Sequence, residues 1–526
     1  MREKPAVSGN PDTILLNGKC FTGSTSLGFV EALAIAGERI VAVGATNQIQ
    51  ALAGTRTRTI DLKGRAVIPG INDAHFHHVP NPRVAVLPIS HLEPSWDEIV
   101  DAVAEVSKNV PKGSWILGTH GINVVNDPRA TRIDLDKVAP NHPVHLTSYF
   151  GHGSVVNSAA MAALQIGDEQ PDPFGGCCER IPRSNRVSGK LFGYAQWMHW
   201  CYFALIESEP ERVSSARTMG QQATRLGITS MQIMSPLNPE DYAQNLYAAH
   251  LPIRARVIRF LGTSLHARML DENAEVQTQL HLGERIRISG TKWLLDGTPL
   301  ERRAAVRSDY RDRPGWRGQM YLPYSKMLAM LRDSFAGNDQ LLVHAVGDAT
   351  IDAFLCALES EADVTALTRR RVRIEHGWGL KADLIPRALA QGVVVVGNPT
   401  HLSFAPVLAE RFGPQHDYLP VRSLIEAGIP LALGSDGPIN PFLGVMFATN
   451  NPVRPEEAIT REQAIEAYTR GSAYAESQET EKGTLEPGKL ADLAMLSQDI
   501  FTCPAGDLPN TESLMTMLGG EIVYSG

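Results

Sequence analysis

Within six positions of the stretch VIPGINDAHFHHV (residues 67–79) stand Asp73, His75, His77 and His78. Side chains two residues apart on a strand point the same way, so His75 and His77 can grip one ion while Phe76 faces the other side. A lone HxH pair is more often the polar end of a strand. Asp73 is open between a turn residue and a carboxylate that orients a histidine ring through its second nitrogen. Further donors at equivalent places along the chain favour the metal reading: Lys292 in TKWLL, His344 in LLVHAV, His376 in RIEH and Asp436 in LGSD. Four histidines and an aspartate converging on one place suit a divalent transition metal such as zinc. Taken singly, Lys292 reads as an ion-paired lysine and Asp436 as a helix cap. His78 and His401 read as loop or supporting residues rather than ligands.

Bringing these donors together is the task of the elements that carry them. Strand-length apolar runs begin at AVIPGINDAHFH (66–77) and recur at 227–234, 252–260, 287–295, 340–346, 371–376, 392–398 and 429–436. Helix-length segments such as SKMLAMLRDSF separate them. Eight βα repeats predict an α/β fold, a (β/α)8 TIM barrel with its active site at the C-terminal ends of the strands. The count requires residues 80–225 to be a cap insertion after strand one, with strand-like pieces of its own in SWILG and HPVHLTSYF. Hairpin-like runs at both chain ends predict a small β-sandwich built from residues 1–66 and 479–526. The barrel then takes strand one from 67–79 and its remainder from 226–478.

Composition narrows the function classes. A net charge of −8 and a pI near 6.1 leave no electrostatic footprint for nucleic acid. No apolar run approaches the ~20 residues of a membrane span. The first residues, MREKPAVSGNPDTILL, lack an apolar core followed by a cleavage site. Six scattered cysteines without CxxC spacing fit a reduced, cytoplasmic protein. The expected partner is a small-molecule substrate.

PGINDAHFH resembles the signature of the amidohydrolase superfamily, and the chain as a whole resembles its YtcJ-like branch, which includes N-substituted formamide deformylase and AepA-like proteins. The matching pieces run nearly end to end: GSWILG, TRIDLDKVAPNHPV, GHGSVVNSAAM, TKWLLDGT, VHAVGDATIDA, RIEHG, LGSDGPI, EAYTRGSAYA and KGTLEPGKLADLAML. The resemblance implies a binuclear centre. His75 and His77 would hold one metal with Asp436, His344 and His376 the other, and Lys292, carbamylated by carbon dioxide, would bridge them. Two zinc ions are expected, with manganese, iron or cobalt as alternatives. The implied reaction is hydrolysis of an amide or related C–N bond, with Asp436 carrying the proton to the leaving amine. A homodimer is common among such enzymes.

Two departures from the family stand out. Gly193, in SGKLFGYAQW, takes the place of an expected glutamate, and Asn450 stands near an expected arginine. The aromatic stretch YAQWMHWCYF (194–203) is read either as the core of a cap helix or as a substrate-facing wall through Trp197. His152 in GHGSVVNS is a candidate substrate contact or a loop residue. Competing functions are a mononuclear deaminase of the same superfamily and a non-catalytic regulatory relative. Those deaminases carry a glutamate after the strand-five histidine, where HAVGDA offers only Asp348.

Overall fold

The computed structural model describes residues 10–79, 82–173, 175–235, 237–260, 282–337, 339–361 and 364–526. Residues 1–9 and 80–81, which begin the expected sandwich and cap segments, lie outside the described residues. Eight strands form one parallel sheet: β1 (Ile71–His77), β2 (Ile228–Met234), β3 (Arg254–Phe260), β4 (Ile286–Leu294), β5 (Leu341–Ala345), β6 (Arg373–His376), β7 (Val394–Gly397) and β8 (Leu431–Leu433). Each pairs with its neighbour in chain order. Parallel pairs need crossover connections, and helices supply those that lie within the described residues. The sheet curls until its edges meet. Past the end of β8, the Asp436 backbone N–H donates to the His75 carbonyl at 2.9 Å. All eight predicted strands are present, and the α/β barrel is the fold.

Alternation along the strands decides what each residue faces. Phe76, Ile233, Val257, Trp293, Val343, Ile374 and Val395 pack outward into one core with the surrounding helices. Their sequence neighbours His77, Met234, Ile258, Lys292 and His344 therefore turn inward. Lys292 and Trp293 thus divide between the two faces of β4.

The run read as a single strand at 67–79 is two. Ala66–Pro69 belongs to a six-stranded sheet shared by both chain ends, where it pairs with Leu493–Leu496, and β1 starts only at Ile71. Gly70 makes the switch because a Cβ there would meet Thr229 Oγ1 at 2.1 Å. That sheet and a four-stranded one (Thr13–Leu16, Ala32–Ala36, Arg39–Gly44, Arg58–Asp61) enclose a common apolar core that includes Leu15, Leu33, Val67, Leu493 and Met517.

The insertion carries its own six-stranded sheet, in which Ile116–His120, Val144–Ser148, Gly153–Val156 and Val187–Gly193 are successive neighbours. The helix Glu209–Arg225, counted with the insertion in the sequence, instead buries Ala216, Met219 and Ala223 in the barrel core. Its small and apolar residues recur at helical spacing on one side, as a barrel-facing stripe requires. Among the described residues no helix is long and apolar enough to cross a membrane.

The seam between β1 and β8 has no spare room, since a Cβ on Gly434 would lie 2.4 Å from the His75 backbone nitrogen. Gly434→Ala is therefore expected to destabilise the barrel by about 1–3 kcal/mol, the usual cost of overpacking. A lowered midpoint in urea, followed by tryptophan fluorescence, checks this.

Candidate metal centre

The barrel mouth draws together the predicted donors; the rings of His75, His344 and His376 each have a partner on one nitrogen, whereas His77 Nδ1 is buried without one. His75 Nδ1 meets Glu375 Oε2 at 2.5 Å, so its Nε2 is left facing Lys292 Nζ at 3.0 Å and Asp436 Oδ1 at 3.4 Å. His77 Nε2 lies 3.4 Å from the same Nζ and 3.7 Å from Asp436 Oδ1. His376 Nδ1 donates to Asn398 Oδ1 at 2.8 Å, an amide fixed in orientation because its Nδ2 donates to the Gly434 carbonyl. His376 Nε2 is buried without a hydrogen-bond partner. His344 Nε2 lies 3.4 Å from the Gly297 carbonyl, and its Nδ1 is likewise buried and unpartnered. The rings of His344 and His376 are 4.6 Å apart.

Bare nitrogen lone pairs in a dry site have few acceptable partners, and a divalent cation is the natural one. Burial pushes the His75, His77, His344 and His376 rings well below the ordinary histidine value, with the Lys292 charge adding to the effect in each. They stand as neutral imidazoles, the form that binds metal. The residues present therefore fit a metal. Two groups of three donors meet at the Asp436 carboxylate, His75 with His77 on one side and His376 with His401 on the other. The His401 ring, read in the sequence as a loop or supporting residue, places Nε2 3.6 Å from Asp436 Oδ2. In the second group His376 turns Nδ1 towards Asn398 and, at 3.6 Å, Asp436 Oδ2, which leaves Nε2 as its free nitrogen.

Lys292 is fully enclosed. Burial brings its ammonium down to about 8, opposed by Asp436 and Glu375 and reinforced by Arg373. Burial also pushes Asp436 up to about 7 against the pull of Lys292. Two of the strand-end residues, His376 (φ +71°) and Asp436 (φ +41°), hold left-handed backbone. Such strain costs non-glycine residues on the order of 1–3 kcal/mol and gathers at functional sites.

Asp73 does not hold a ring. Its carboxylate accepts from the Ser435 N–H at 2.9 Å and hydroxyl at 2.5 Å and from the His75 N–H at 3.2 Å, tying the ends of β1 and β8 together. The ring-holding carboxylate is Glu375, which sequence reading missed. It is fully buried and clasped by Arg373 through Nε (2.8 Å) and Nη2 (3.0 Å). The signal was there in RVRIEH: Arg373 and Glu375 alternate with apolar Ile374, a charged pair turned into the barrel.

Trp197 and His152, the two substrate-contact candidates, both reach the centre. The Trp197 ring lies 4.6 Å from His77 and 5.1 Å from Phe260, on the mostly buried helix Tyr194–Ile206. That helix is both a packed core and a wall of the site. The His152 ring lies 4.8 Å from His344. A cleft of about 670 Å³, lined in part by Val79, Ile206, Met219 and Ile439, opens beside His77 and Gly437.

A barrel with this ring of neutral imidazoles, an enclosed lysine and a strand-eight aspartate has the architecture of a hydrolase of the amidohydrolase class. The chain belongs to the amidohydrolase family, whose sequence pattern matches residues 58–524. It is 29% identical to Protein LONG AFTER FAR-RED 3 of Arabidopsis thaliana, over 98% of this chain and 91% of that protein. It is 25% identical to N-substituted formamide deformylase of Arthrobacter pascens, over 98% of each chain. The fold is similar to that of an uncharacterized metal-dependent hydrolase from Pyrococcus horikoshii, with a TM-score of 0.69 and 20% identity over 94% of this chain and 99% of that one.

Replacing Glu375 by Gln keeps the shape but leaves Arg373 buried without its counter-ion. Glu375→Gln is expected to weaken retention of a divalent metal by roughly 10–100-fold, as loss of a ligand-orienting partner does. Competition against a chelator measures it.

Proposed function

We propose that the protein hydrolyses an amide or related C–N bond of a small molecule, with N-acyl and N-formyl amines the first class to try. The observation that carries this reading is the set of unpartnered or inward-facing imidazole nitrogens on His75, His344 and His376, arranged around Lys292 and Asp436. His75, His77 and Asp436 would hold one divalent ion, zinc foremost with manganese, iron or cobalt as alternatives. His344 and His376 would hold a second, with carbamylated Lys292 between them. Bound there, the metal would polarise the substrate carbonyl and acidify a water molecule. Asp436, brought near neutrality by burial, takes the proton of the attacking water and returns it to the leaving nitrogen. The rings of Trp197 and Phe260 pack on His77, and the adjacent cleft is of the size small-molecule sites have. The name of the deformylase relative agrees with a formamide-type substrate.

Deamination is the second reading. Against it, Asp348, the acid nearest to His344 in sequence, is spent on the Arg307 N–H at 3.0 Å and Lys381 Nζ at 3.2 Å. It is not held ready for a substrate.

Metal content by elemental mass spectrometry tests the reading directly. Two equivalents per chain are expected in the wild type, falling to one or fewer in Lys292→Ala. One equivalent in both would make Lys292 a packing residue and favour the deaminase. Protein that stays empty in added zinc or manganese would end the hydrolytic reading.

Carbamylation consumes a neutral amine and releases a proton. The amine of Lys292 becomes neutral as pH rises through about 8. Bicarbonate-dependent recovery of decarbonated, metal-stripped protein should therefore increase from pH 7 to pH 9, followed as metal rebound.

A further inference from the structure

Glu301 lies on the loop that follows β4 at the barrel mouth, and nothing so far uses it. The residue is only 6% exposed. Its Oε2 accepts from the Thr298 hydroxyl, while Oε1 is buried with no donor. Among the described residues Glu301 makes no ion pair. The guanidinium of Arg303 is turned elsewhere, towards Cys177 Sγ (3.7 Å), Gln319 Oε1 (3.5 Å), Glu179 Oε2 (3.5 Å) and the Phe192 ring (4.3 Å). A buried carboxyl oxygen without a donor is uncommon in a folded protein and marks a place where a donor is to be supplied.

Its neighbours connect it to the centre. The side chain rests against Gly153, where a Cβ would be 3.7 Å from Glu301 Cγ, and the preceding His152 packs on His344. Thr298, which holds the carboxyl, follows Gly297, whose carbonyl faces His344 Nε2. Tyr321 Oη, also buried and unpartnered, sits 2.7 Å from where a Gly297 Cβ would be.

We propose that Glu301 is a specificity-determining residue, its free carboxyl oxygen receiving an N–H of the part of the substrate that is not cleaved, most strongly a primary ammonium. The substrate class that follows is an amide carrying a second, amino nitrogen. This rests on the reading above that the substrate reacts at the barrel mouth. Burial supports it by pushing the carboxyl up to about 8, so that at pH 7 it is largely protonated until a cation arrives. Docking an ammonium then ionises the carboxyl and releases a proton, which a neutral N–H donor does not do.

Calorimetric titration of the metal-loaded protein at pH 7, in two buffers of different ionisation enthalpy, tests it. The probes are 4-(aminomethyl)benzyl alcohol and 4-methylbenzyl alcohol, which differ by one amino group, so that only the first brings an ammonium. Wild type is expected to bind the amino alcohol roughly 10–100-fold more tightly, the value of a hydrogen bond to a charged group, and to release protons as it does so. Glu301→Gln, which retains the shape and the Thr298 contact, is expected to lose both the preference and the release. Equal binding of the two probes by wild type, or a preference that survives in Glu301→Gln, would overturn the assignment. Because the wild-type comparison needs no variant, a folding defect in Glu301→Gln cannot mask the result. Hydrolysis of N-formyl-4-methylbenzylamine and of the mono-N-formyl derivative of p-xylylenediamine in the same preparation separates the two failures. Preference for the ammonium-bearing probe without turnover overturns the hydrolytic reading alone, whereas turnover without preference overturns Glu301 alone.

Discussion

The seam between the first and last barrel strands is the contact on which the centre depends. Asp436 donates its backbone N–H to the His75 carbonyl, and the Asp73 carboxylate takes both the N–H and the hydroxyl of Ser435. Through three short hydrogen bonds, residues some 360 positions apart are held in register. His75 and His77 on one side then face the Asp436 carboxylate on the other. A sheet left open here would keep every strand and lose the site, because no single strand carries enough donors to hold an ion.

Buried charge is the second constraint. Arg373 joins Glu375, Gln232 Oε1 and the Ala74 carbonyl, and Arg256 joins the same Gln232 oxygen from below. Beneath the mouth the barrel interior therefore holds a polar column beside a small aliphatic cluster of Ala74, Val394, Val396 and Ala432. Charges taken out of water are tolerable only when paired and hydrogen-bonded, and here each partner is fixed by the next. Glu375 sits at the top of the column, and its hold on His75 converts the rigidity below into a fixed ring orientation above.

The parts legible in the sequence are those set by local pattern. Each barrel strand is a short apolar run between helix-length segments, so all eight could be found, and His75, His77, His344, His376 and Asp436 could be placed at or near strand ends. What escaped depends on which strands face one another across the barrel. Glu375 reaches His75 from 300 residues away, and Asn398 reaches His376 from the next strand. Asp73 read equally as a turn or a ring holder because its partner, Ser435, is 362 residues distant. The helix Glu209–Arg225 falls inside the insertion when everything between the first two strands is set aside by the strand count, and its stripe of small residues, suited to close packing on strands, gives only a weak amphipathic signal to separate it. The left-handed backbone of His376 and Asp436 has no signature in residue type, as neither is glycine.

Gly193 closes a road that the sequence leaves open. It starts the helix Tyr194–Ile206 with φ +57°, and any Cβ there would lie 2.5 Å from the Gly175 carbonyl oxygen and 2.8 Å from the Tyr321 ring. The glutamate expected from related chains is thus more than missing: the backbone has settled into a shape that excludes it. One codon change would not bring it back, since the Gly175 turn and Tyr321 would have to move first. Divergence at this position works as a ratchet, and whatever chemistry the glutamate serves elsewhere lies outside the mutational neighbourhood of this chain.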